Sequence, residues 1–197
     1  DAVKEMDAFL SLILSSGIPV HILPGDTDPT SLHWPQRPLH SSLFRTSASF
    51  PALLNRTPNP YASSMQINDD GAVVTMCGTD GRNVSDLKST QGLVSNSGEP
   101  MTECQILQQL MEWRHMCPTG PESVPTVPHA QLDPMVMKQN AAPHVWFAGN
   151  ASEFGTDMVG DNKTRLLAIP KFSETGQACL LNLATLDVEL LRFVDQP

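Results

Sequence analysis

The stretch Ile18-Pro-Val-His-Ile-Leu-Pro-Gly-Asp-Thr-Asp-Pro29 decides the fold class. Ile18 to Leu23 is apolar, β-branched at its start and too short for a helix, so it reads as a buried strand. Pro24 and Gly25 stop it, and Asp26 and Asp28 follow on a turn. Acidic residues at a strand end are a common setting for a metal-dependent site in an α/β protein.

Upstream, Val3, Met6, Leu10 and Ile13 recur at helical spacing, which predicts an amphipathic helix over 2–16 closed by Gly17. Helix followed by strand is an α/β unit. Downstream, Pro24 to Phe44 holds four prolines and no sustained period, so it is a loop with Trp34, Leu39, Leu43 and Phe44 as apolar anchors. A lid and a structural strap look alike at this level.

Tyr61–Ile67 and Ala72–Cys77 flank Asn68-Asp-Asp-Gly71 and read as a β-hairpin, because glycine tolerates the positive φ of a tight turn. A short helix follows, with Asn83 or Ser85 as its cap. Thr102 and Gln105 form a capping-box pattern, and Ile106, Leu107, Leu110, Met111 and Trp113 carry a helix to about His115. Prolines 118, 121, 125 and 128 then bar helix. His144–Ala148 reads as a second buried strand ending at Gly149-Asn150. Thr164–Ile169, Gln177–Leu183 and Val188–Phe193 read as a meander closing one side of a sheet. Trp34, Trp113 and Trp146 are expected in the core.

At 197 residues the chain fits one domain. Its net charge of -9 and scattered Lys and Arg argue against a phosphate-backbone groove, which needs a basic stripe. Polypeptide partners, with DNA bound only indirectly, are the expectation. No run approaches the roughly 20 apolar residues of a membrane span. The four cysteines are dispersed and are read as reduced thiols of a nuclear or cytosolic protein. The sequons at Asn55, Asn83, Asn150 and Asn162 are read as chance. Without an initiator Met, and opening inside a helix, the sequence is expected to be a fragment.

Three features could converge at strand ends: Gly25-Asp-Thr-Asp28, Trp113-Arg-His-Met-Cys-Pro118 and Gly149-Asn-Ala-Ser152. Their order resembles the later motifs of the calcineurin-like metallophosphoesterases, which read Gly-Asn-His-Asp/Glu, a lone His, and Gly-His-x-His. The resemblance places Asp26 at the metal-binding Asn, Thr27 at the His that aids the leaving group, and Asn150 and Ser152 at two His ligands. His115 would match the lone His. Amides and hydroxyls are poor substitutes for imidazole on a Mn- or Zn-type ion, so no cofactor is expected.

A longer series comprises Pro24-Gly-x-x-Asp-Pro29, Pro35-Gln-x-Pro-Leu-His40, Asn59-Pro60, Gly78-Thr-x-Gly-x-Asn-Val-Ser-Asp86, Arg114-His-x-x-Pro-Thr-x-Pro121, Asp133-Pro134 and Pro143-His-Val-x-Phe-x-Gly-Asn150. It resembles the small, non-catalytic B-subunit family of eukaryotic DNA polymerase delta. The resemblance implies an α/β, calcineurin-like metallophosphoesterase fold, a β-sheet sandwich flanked by helices, of which residues 1–197 are the C-terminal part. The domain's N-terminal part and an upstream OB-fold would lie outside this fragment. It further implies an inactivated phosphoesterase domain, a nuclear scaffold in DNA replication and repair. Its partners would be the C-terminal domain of the catalytic subunit and a further accessory subunit. The alternative is a metal-dependent phosphodiesterase or nuclease with variant ligands Asp26, Asp28, His115 and Asn150.

Overall fold

A computed structural model describes residues 2–67, 71–90, 92–95, 97–127, 133–137, 142–160 and 163–193. The first helix, α1 (Ala2–Ser15), buries Asp7, Leu10 and Leu14, spaced i, i+3, i+7. That stripe is rotated from the expected one, because Asp7 turns inward to hydrogen-bond and leaves Met6 43% exposed. Leu10 and Leu14 pack on Ile22, Leu39 and Phe44.

Strand β1 covers only Val20–Ile22, inside the expected Ile18–Leu23. Ile18 is half exposed, and Pro19 offers no N–H to a ladder. It pairs in parallel with β2 (Leu54–Arg56), a strand of three residues that leaves too little periodicity to be read in sequence.

The main sheet has the order β3-β4-β5-β7-β6. It comprises β3 (Tyr61–Gln66), β4 (Val73–Thr79), β5 (Val145–Ala151), β6 (Gly155–Val159) and β7 (Thr164–Pro170). The β3–β4 pair is the antiparallel hairpin expected, although residues 68–70 of its turn lie outside the described residues. β4, β5 and β7 run parallel, and β6 is an antiparallel edge. The meander reading needs correction: β7 belongs inside this sheet, and of those three segments β8 (Gln177–Leu181) and β9 (Val188–Arg192) pair with each other as a separate hairpin. Between β7 and β8 lies the single turn α4 (Phe172–Thr175).

Alternation along the strands sorts residues to two faces. Cys77, Trp146, Ala148 and Leu166 face the helices α2 (Arg82–Thr90) and α3 (Glu103–Trp113), where Leu87, Ile106, Leu107 and Leu110 complete the core. Val74, Val145 and Leu167 face the β8–β9 hairpin through Leu181 and Val188. His21 of β1 approaches Tyr61 of β3, Nδ1 to hydroxyl oxygen 2.9 Å. The chain is therefore a mixed α/β fold.

The capping box of α3 is present: Gln105 N–H donates to Thr102 Oγ1 at 3.3 Å and Thr102 N–H to Gln105 Oε1 at 2.8 Å. Arg114, in the left-handed region at φ 55°, ends that helix. Trp34 and Trp146 are fully buried as expected, but Trp113 is 46% exposed, since its place on the last turn of α3 carries it past the sheet. The cysteines among the described residues are free. None of the described helices is long and apolar enough to cross a membrane. Asn83 of the sequons is completely buried, and Asn162 lies outside the described residues.

Candidate functional site

The acidic turn lies just past the C-terminal end of β1, beside the C-terminal ends of β4 and β5. Its geometry is set at Gly25, whose N–H donates to Asp28 Oδ2 at 2.7 Å. A Cβ at Gly25 would stand 3.7 Å from Asp28 Oδ2 and 3.8 Å from Asp80 Oδ2, so two carboxylates flank one glycine. Asp26, Thr27 and Asp28 are exposed, whereas Asp80 is 7% exposed.

The strap from 24 to 44 is tied to this end by a buried amide pair. Gln36 Nε2–H donates to Gly25 O and to Ser31 O, both at 3.0 Å. Asn59 Nδ2–H donates to Gln36 Oε1 at 2.7 Å, and Gln36 N–H to Asn59 O at 2.7 Å. Asn59 is fully buried, and its Oδ1 has no partner among the described residues. Such a network fixes one arrangement because each missed partner in a dry interior costs about 1–3 kcal/mol. The Pro24–Phe44 loop is a strap rather than a lid.

β4 and β5 approach closely where they end. Gly81 has φ +93°, and a Cβ there would lie 1.8 Å from Gly149 O. Asn150, itself at φ 51°, turns its Nδ2–H onto Asp80 O at 2.9 Å. Burial pushes the Asp80 carboxyl pKa up; hydrogen bonding to Asn59 and the Arg82 amide opposes this, and the Asp26 carboxylate adds to the rise. Asp80 also serves the start of α2, its Oδ1 accepting Arg82 N–H at 3.3 Å. Asn83, an expected cap, is used differently. It accepts Thr79 Oγ1–H at 2.8 Å and donates to Met116 O at 2.6 Å.

An acid whose folded pKa is raised adds stability only below its unfolded pKa, and that contribution is lost as pH rises through the folded value. Asp80→Asn should therefore gain about 1 kcal/mol near pH 7, because it removes the buried charge. The gain should vanish near pH 4. Urea denaturation at the two pH values checks this, and a loss at pH 7 would show that the Asp80 charge is needed.

Of the sequence candidates, Asp26, Asp28 and Asn150 are gathered with Asp80. Ser152 is not: its N–H and Oγ–H donate to Glu103 Oε1, both at 3.0 Å, and Lys88 Nζ meets the same oxygen at 3.3 Å. Glu103 is 8% exposed, so Ser152 pins β5 to the first turn of α3. His115 is elsewhere too. Its Nδ1 accepts Cys117 N–H at 3.1 Å and its Nε2 faces Asp133 Oδ2 at 3.3 Å, so both ring nitrogens are engaged away from the acidic turn.

A two-metal phosphoesterase centre needs several imidazole and carboxylate donors converging on both ions. The residues here do not fit one. Among the described residues no group of three or more His, Cys, Asp or Glu is placed to hold a metal ion. Asn150 turns its amide nitrogen, a donor, toward the site's backbone, and Ser152 and His115 are committed to other partners. Sequence reasoning missed Asp80 and Glu103, and held Gln36 and Asn59 only as members of the motif series. The rule that picks out Asp26, an acid just after an apolar strand and beside a glycine, finds Asp80 as well.

A family model described as the DNA polymerase alpha/epsilon B-subunit matches residues 1–156. The DNA polymerase delta small subunit of Oryza sativa subsp. japonica is 30% identical over 196 residues, covering 98% of this chain and 42% of that protein. DNA polymerase delta subunit 2 of Drosophila melanogaster is 32% identical over 195 residues, 98% of this chain and 41% of that protein. The DNA polymerase delta small subunit of Saccharomyces cerevisiae is 30% identical over 215 residues, 97% of this chain and 42% of that protein. The chain thus spans about two-fifths of the length of these curated relatives.

Proposed function

Because this chain belongs to the DNA polymerase alpha/epsilon B-subunit family, we propose that it is part of a non-catalytic accessory subunit of a delta-type replicative DNA polymerase. Its work is to hold other polypeptides, and its strand-end turn is a rigid frame. The observation that carries this reading is the commitment of the strand-end side chains to internal partners: Asn150 to Asp80 O, and Ser152 to Glu103. A donor spent on the protein's own backbone is not free to polarise a phosphoester.

The same reading takes residues 1–197 as the C-terminal part of an inactivated, calcineurin-like phosphodiesterase domain. The rest of that domain and an OB-fold would be supplied by a chain of the relatives' length. The partners would be the C-terminal domain of the catalytic subunit and a further accessory subunit, in the nucleus, with DNA engaged only through the assembly. Support for the partner class comes from the relatives' names and from the net charge of -9, which disfavours direct phosphate contact.

Co-purification of the full-length protein with the C-terminal domain of a polymerase delta catalytic subunit tests the proposal. A stable complex is expected. Failure of the intact, folded protein to retain that domain would overturn it.

A further inference from the structure

Charge along the chain is not evenly spread. Residues 29–67 contain no Asp or Glu and carry Arg37, Arg45 and Arg56, a formal +3 within a chain of net -9. Arg56 is engaged internally, its Nη1–H donating to Leu39 O at 2.9 Å. Arg45 is exposed, and the fold brings Lys4 of α1 to the same groove.

Lys4 and Arg45 line an open groove of about 690 Å³ between α1 and the short turns that follow the strap. Both are exposed, and among the described residues neither makes an ion pair. Ser42 and Thr46 line it too, and Val3 and Leu43 give it an apolar part. The carboxylate in the lining is Asp7, which keeps its negative charge but pairs with neither cation. Its Oδ2 accepts Thr46 N–H and its Oδ1 accepts Ser47 N–H, both at 2.9 Å, with the residue 7% exposed. The groove therefore presents two cations, hydroxyl donors and an apolar strip.

We infer that this groove docks an acidic, apolar-anchored peptide segment of a partner polypeptide. Charge complementarity selects the occupant: cations without a carboxylate partner, beside an apolar strip, suit carboxylates interleaved with one or two aliphatic side chains. Duplex DNA is a poor fit, since phosphate-backbone binding draws on about six to ten contacts and this groove has two cations. The inference deepens the accessory-subunit reading by naming a partner chemistry. Its test uses a synthetic probe, so it stands or fails separately from the choice of polymerase.

The probe is a fluorescein-labelled peptide of about 15 residues of alternating Glu and Leu, titrated into the full-length protein by anisotropy at low and high salt. Controls are the same peptide with Gln for Glu, and a labelled duplex of about 20 base pairs. Salt-sensitive binding of the acidic peptide is expected, roughly ten-fold weaker for the Gln peptide and for the Lys4→Glu/Arg45→Glu variant. The milder Lys4→Gln/Arg45→Gln variant should fall between, and Lys163→Glu, remote in sequence on an exposed turn, should bind as wild type. Equal binding by the charge-reversed protein would overturn the inference. So would no binding, tighter binding of the duplex, or sedimentation showing that the probe merely competes with a second copy of the chain.

Discussion

Gly81→Ala is expected to cost more than about 3 kcal/mol of folding stability. Two independent causes act together. At φ +93° an L side chain is strained on its own backbone. The new Cβ would also stand 1.8 Å from Gly149 O and 2.9 Å from Gly149 C, which are main-chain atoms and cannot rotate away. Relief requires the ends of β4 and β5 to part, and that pulls Asn150 from Asp80 O. Gly17→Ala is the control: φ there is +79°, but nothing lies within 4 Å of the added Cβ, so only the backbone cost of about 1 kcal/mol applies. Urea midpoints of the two variants separate strain from collision. Equal losses would mean that the close approach of β4 to β5 is not real.

Asp7→Ala should be nearly as damaging, about 3 kcal/mol, because it strands the amides of Thr46 and Ser47. Burial alone would push the Asp7 carboxyl up, but hydrogen bonds from Ser47 and Thr46 outweigh it and hold the pKa down at about 2. For an acid depressed in the fold, the stabilisation is complete above the unfolded pKa and is lost as pH falls through the folded one. Discounted for screening at the groove, roughly 1–2 kcal/mol of wild-type stability should therefore disappear between about pH 4 and pH 2. Urea denaturation of Asp7→Asn against wild type over that range should show the curves converging in acid. Parallel curves would assign the effect to other carboxylates.

The parts of the fold legible in sequence are those in which local pattern and tertiary role coincide. Thr102 and Gln105 cap α3 whatever surrounds them, and β4 and β5 are apolar because both faces of a parallel sheet are covered. The three-residue β2 and the edge strand β6 are not legible: one is too short to show a period, and four of five β6 residues are Gly, Thr, Asp or Val around a single Met. The rotated face of α1 is hidden because a carboxylate rarely points inward.

The candidate site divides in the same way. Asp26, Asp28 and Asn150 are legible because strand ends are recognisable, and the structure sets them together. His115 enters on residue type and order alone, yet it sits beyond the C-terminal end of α3 opposite Asp133. Gln36 and Asn59 stand out in sequence only as parts of a motif. What makes them matter is a contact across 23 residues of sequence that local pattern does not encode. The residues carrying the family resemblance prove largely to be those that hold the strand ends in register: Gly25, Gln36, Asn59, Gly81, Asn83 and Asn150.

The central claim, that this strand-end frame binds no catalytic metal and serves architecture, is tested most directly by a phosphodiesterase assay. Full-length protein would be incubated with bis-p-nitrophenyl phosphate and excess Mn, beside Asp26→Ala and Asp28→Ala variants. Release of nitrophenol at the rate of the protein-free control is expected in all three samples. Mn-dependent turnover by the wild type that is abolished in both variants would contradict it.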